Sequence, residues 1–165
     1  MRDINEIELN VLDTDTVLRW EKELGNEWSN WLPQLYNLWN NEDDSDTMSF
    51  FLMEAYISFN GSCNNDMVRE MFEYSNQKLL MDNEDKEFYN SLPNEITIYR
   101  AQNNDGNELG FSWTTSLEVA EKFKNRCNGV IYTATINKEE IKCATNARNE
   151  FEVIVLDVEI KQRYE

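Results

Sequence analysis

Three short stretches carry residue types that do chemistry when they are brought together. "TIYRA" runs into Arg100, "GFSWTTSLEVAEKF" (110–123) sets a hydroxyl cluster ahead of a helical pattern, and "NEFEVIV" holds Glu150 and Glu152 two apart. Strand alternation puts Ile96, Ile98 and Arg100 on one face, so the guanidinium shares its side with apolar residues. Burying an unpaired charge is costly, and a bidentate carboxylate or phosphate offsets that cost. The partner is either an anionic ligand or an internal salt bridge to Glu150 or Glu152. On a strand, Glu150 and Glu152 face the same side. There they repel each other and raise a pKa, or they share a ligand with several hydroxyls. Taken alone, the pair is equally an ordinary strand start in water.

Other chemistries are excluded by composition. The chain of 165 residues has no histidine, which removes the usual zinc constellations, Ser-His-Asp catalysis and the commonest general base. Cys63, Cys127 and Cys143 form no CxxC pair, and an odd count fits reduced thiols in a cytosol. The net charge is −17, unevenly spread: residues 1–94 hold 20 acidic and 6 basic side chains, against 12 and 9 in residues 95–165. So acidic a surface repels phosphates, so direct nucleic-acid binding is not expected. It attracts a basic partner or imitates a nucleic acid before one, although solubility alone also accounts for charge on solvated helix faces. No apolar run reaches membrane-spanning length and "MRDINEIELN" lacks a signal peptide's apolar stretch. The expectation is a cytoplasmic protein, in the producing or infected cell, with no membrane partner.

The elements that must position these residues fall into two halves. "DTDT" (13–16) supplies N-cap candidates, and Leu24, Trp28, Trp31, Leu35 and Trp39 recur at helical spacing, with Pro33 kinking that helix or starting a second. Core packing is favoured over a ligand platform for these tryptophans. After the polar break "NNEDDSD" (40–46), Met48, Phe51, Leu52, Ala55 and Phe59 form another stripe ending near Gly61. A third runs through Val68, Met71, Phe72, Ser75 and Leu79. At "SLPNEITIYRA" the character changes to strands, continuing in "GVIYTATI" (129–136) and "FEVIVLDVEI" (151–160). A helix is expected from Leu117 to about Asn125, and "NNDGNELG" (103–110) reads as a turn-rich loop. The expected class is α+β, with an acidic helical subdomain over 1–92 and a small β-rich domain over 93–165.

The order Arg100, then Ser112 to Thr114 before a helix, then Glu150 and Glu152 before a strand resembles the Arg–Ser–Glu class of ADP-ribosyltransferases. That family carries an aromatic–Arg strand, a Ser-Thr-Ser-like strand running into a helix, and an ExE or QxE loop and strand. The match covers about residues 95–160, and the helical half has no part in it. It implies a split β-sandwich and NAD as substrate, with no metal needed. Arg100 takes the place of the arginine that holds the NAD phosphates and ribose, Ser112, Trp113, Thr114 and Phe123 belong to the cofactor-binding set, and Glu152 takes the place of the catalytic glutamate. Glu150 takes that of the residue that selects the acceptor, and glutamate there looks like the arginine-modifying members. Thr114-Thr115-Ser116 is an alternative register for the hydroxyl motif, but the helix start favours Ser112-Trp113-Thr114. Two departures stand out: Ala101 follows the arginine where many relatives have glycine, and the domain is short.

The resemblance implies a mono-ADP-ribosyltransferase acting on an intracellular protein; a small, asparagine-rich, very acidic chain suits a phage or mobile-element effector aimed at a host or defence factor. Two other readings are kept: a non-catalytic acidic inhibitor that blocks a basic, nucleic-acid-binding partner, and an NAD glycohydrolase in which water replaces the protein acceptor.

Overall fold

The computed structural model describes residues 11–59, 64–103 and 108–164. Cys63, the helix end expected near Gly61, the N-terminal decapeptide and positions 104–107 of the expected loop lie outside them. The chain divides into two compact units, Met1–Asp82 and Asn83–Glu165, so the helical unit is one helix shorter than the expected 1–92.

In the first unit, α1 (Thr14–Leu24), α2 (Trp31–Glu42), α3 (Ser45–Ser58), α4 (Asn65–Glu73) and α5 (Gln77–Leu80) follow one another with brief breaks. Each break has a local cause. Asp13 caps α1 by accepting from the Thr16 N–H, and the helix ends at Gly25, whose φ of 69° suits a residue without Cβ. A 3₁₀ turn over Trp28–Asn30 then leads into α2, and Pro33 sits in its first turn, where a missing N–H costs nothing. The expected stripe from Leu24 to Trp39 is therefore split by this turn. Asp43 takes the left-handed conformation (φ 56°) after α2, and Asp44 caps α3. The expected third helix is two: α4 stops at Glu73, Ser75 Oγ donates to the Phe72 carbonyl, and the Asn76 side chain caps α5. Trp20, Trp31, Leu32, Leu35, Met48, Leu52 and Phe72 are fully buried.

The second unit begins with α6 (Asn83–Ser91), followed by β1 (Glu95–Gln102), β2 (Ser112–Thr114), α7 (Leu117–Cys127), β3 (Val130–Asn137), β4 (Ile141–Thr145), β5 (Glu152–Val155) and β6 (Gln162–Tyr164). The strands form one six-stranded sheet in the order β4-β5-β2-β1-β3-β6, antiparallel at every pairing. The fold is α+β. The strand expected over 151–160 is shorter, ending at Val155, and β4 and β6 have no counterpart in the expected set. Phe151 sets the near limit of β5, because its φ of 50° lies outside strand geometry.

Registration draws one polar row across the whole sheet. Thr145 faces Glu152, Glu152 faces Thr114, Thr114 faces Tyr99, Tyr99 faces Thr133, and Thr133 faces Gln162. Directly opposed residues share a face, and Thr145, Thr114 and Thr133 are buried. Among the described residues, no helix is long and apolar enough to cross a membrane.

Candidate functional site

The order β5-β2-β1 places the Glu152 strand, the Ser112 strand and the Arg100 strand side by side. A cavity of about 250 Å³ opens there, lined by Tyr99, Arg100, Ala101, Ser112, Trp113, Thr114, Ala120, Phe123, Glu150 and Glu152. All seven site residues singled out from the sequence are in this wall. The hydroxyl stretch divides its labour: Ser112 and Thr114 sit on β2, while Ser116 caps α7 by accepting from the Val119 N–H. Trp113 is buried and closes the wall from within.

The polar contacts run as a chain. Ser112 Oγ donates to Glu152 Oε1 at 2.5 Å. The Ser112 carbonyl accepts from Arg100 Nη1 at 2.5 Å, and Arg100 Nε donates to Gln102 Oε1 at 3.1 Å. Arg100 and Glu152 are thus tied to the same serine, one through its backbone and one through its hydroxyl. Thr114 Oγ1 donates to the Glu150 carbonyl at 2.6 Å and accepts from the Ser116 N–H, joining the acidic loop to the start of α7. Burial holds the Glu152 carboxyl above the usual carboxylate range, and the charge of Glu150 adds to this. The Ser112 hydroxyl and the nearby Arg148 and Arg100 charges pull it back.

Glu150 and Glu152 reach this wall by a different route from strand alternation. β5 starts at Glu152, and Glu150 precedes it in a turn. Between them, Phe151 holds a left-handed backbone, which for an aromatic residue costs about 1–3 kcal/mol. Its conformation is held from several sides. The Phe151 N–H donates to Asn146 Oδ1, its carbonyl accepts from the Thr115 N–H, and its ring meets Phe88 edge-on at 6.1 Å.

A second cavity of about 400 Å³ adjoins the first and shares Arg100, Ala101 and Phe123 with it; Gln102, Glu108, Arg126 and Cys127 complete most of its wall. The Arg126 guanidinium lies over the Phe123 ring, 5.5 Å from its centroid. Sequence reasoning passed over Arg126, although a cation three residues after Phe123 on one helix is a legible signal. Gln102 and Gly110 were passed over as well, since a polar strand end and a loop glycine are common everywhere. Cys127 is half-buried and Cys143 is buried.

Compared with models of known families, with curated proteins and with solved structures, the chain matches none of them.

Proposed function

We propose that the chain is an NAD-dependent mono-ADP-ribosyltransferase that modifies a protein, with the second unit as a small split β-sandwich of that family. The observation that carries this reading is the convergence of Arg100, Ser112, Thr114, Glu150 and Glu152 on one cavity from three adjacent strands. The two cavities suit an elongated ligand with a diphosphate at its middle. A dinucleotide carries its diphosphate between two nucleosides, and Arg100 stands where the cavities meet, with Arg126 in the second.

In this reading the nicotinamide half occupies the first cavity against Trp113, Thr114 and Phe123. Breaking the nicotinamide–ribose bond leaves an oxocarbenium-like ribosyl cation, the charge problem that glycosidases also meet. The Glu152 carboxylate accepts from the ribose 2′-hydroxyl and faces the cation as it forms. Its half-buried setting strengthens that attraction relative to water. Ser112 fixes the carboxylate's direction, so little reorganisation accompanies the reaction. Glu150 orients the acceptor guanidinium and takes its proton once the new bond to the ribose carbon has formed. The acidic helical unit gives the protein acceptor, if basic, a charge-complementary surface.

The test is nicotinamide release from NAD by the wild type and by Glu152→Gln, with and without host-cell lysate. Release that requires lysate and is lost on substitution is the expected result. Release without any acceptor would instead identify a glycohydrolase. No release and no NAD binding would overturn the catalytic reading in favour of an acidic interaction protein.

A further inference from the structure

We infer that Gly110 and Gln102 are positioning residues that hold the Arg100 guanidinium in its ligand-receiving pose before any ligand arrives; this rests on the NAD reading of the cavities. A long side chain at a strand end has many rotamers to lose, yet Arg100 is held from three directions. Its Nε donates to Gln102 Oε1 and its Nη1 to the Ser112 carbonyl. On the third side lies Gly110, where an added Cβ would stand 2.7 Å from Nη2 and 3.1 Å from Cζ. The guanidinium occupies the space that a side chain at 110 would take.

The backbone beside Gly110 has little freedom to retreat. Phe111 is buried and its carbonyl accepts from the Val155 N–H at 3.0 Å. A methyl group at 110 therefore displaces the flexible arginine rather than the chain. Gln102 is braced in turn: its Nε2 donates to the Glu108 carbonyl at 3.2 Å, and its backbone pairs with Val130 in β3. Arg100 forms part of both cavity walls, so a tilt of its guanidinium alters both at once. A ligand that meets Arg100 in the correct pose only part of the time binds more weakly by that fraction.

The experiment is NAD binding by calorimetry, nicotinamide-release kinetics and thermal melting on the wild type, Gly110→Ala and Gln102→Leu. The expected result for Gly110→Ala is an NAD affinity lower by about tenfold, carried in KM with kcat within about twofold, and an unchanged Tm. Gln102→Leu should show the same split. If Gly110→Ala fails to fold, Gln102→Leu decides. Wild type that binds NAD while Gly110→Ala and Gln102→Leu bind it equally well overturns the positioning role and leaves the proposed function standing. Wild type that neither binds NAD nor releases nicotinamide overturns both.

Discussion

The two units use their polar side chains for opposite ends. In the helical unit, Asp13, Asp44, Asn64 and Asn76 accept from N–H groups at helix starts, and the space between helices goes to Trp20, Trp31, Leu35 and Phe72. In the sheet unit, Arg100 is tied to Gln102 and to the Ser112 carbonyl, and Ser112 and Thr114 to Glu152 and the Glu150 carbonyl, around a cavity. A strained aromatic, Phe151, is retained beside the two carboxylates. Polar groups that end helices serve the fold. Polar groups that hold a cavity's walls in register keep that cavity formed, and beside them the chain retains a costly conformation.

Four substitutions or conditions sharpen or break this contrast. Trp31→Ala empties a fully buried site in the helical unit and should cost about 3–5 kcal/mol of stability in a denaturant titration. At temperatures where the variant is folded, its kcat should match the wild type; a large loss of kcat would break the division of labour. Glu152→Gln should do the reverse, lowering kcat by about 10²–10³-fold without lowering Tm.

Gly129→Ala comes next. Its Cβ would stand 2.2 Å from the Gln102 carbonyl oxygen, a backbone atom, so the paired ends of β1 and β3 must move apart, at about 1–3 kcal/mol. It should lower Tm, whereas Gly110→Ala should not, though both are glycine-to-alanine changes in one sheet unit. The smallest effect is that of pH. Because the Glu152 carboxyl is raised in the folded state, the folded protein binds that proton more tightly than the unfolded chain. The favourable contribution is present below the unfolded pKa and is lost as pH rises through the folded one. Glu152→Gln should therefore be slightly more stable than wild type at neutral pH, with the difference vanishing in acid. The acidic limb of kcat/KM, which needs the carboxylate, should lie above the ordinary glutamate range. A limb within that range would mean that burial does not govern this group.

Much of the helical unit was legible because amphipathic spacing and capping residues act within a few positions of each other. The first break was legible in Pro33, which sits in the first turn of a second helix; the break at Tyr74–Asn76 was not, since Asn76 is also held there by Ser49 and Asp46 of α3. Seven residues of the first cavity's wall could be picked out by type and order, but its geometry could not. Strand alternation predicted Glu150 and Glu152 on one strand face, whereas a left-handed Phe151 delivers them to the same wall from a turn and a strand. No local pattern announces such a conformation at an aromatic residue. β6, with three exposed residues, offers no hydrophobic alternation to read. Gly110 and Gln102 gain meaning only once Arg100 is seen between them.

The row Thr145–Glu152–Thr114–Tyr99–Thr133–Gln162 constrains how this chain can change length. A single residue inserted within β2 or at the start of β5 turns the following side chains to the opposite face. Ser112 would then lose Glu152, and the buried threonines would face the wrong layer. The same insertion between Val155 and Gln162, where the chain passes from β5 to β6, leaves the pairings of β1, β2 and β5 in place. Descendants of this sequence are free to lengthen their loops, while the strands that carry the cavity must keep their count.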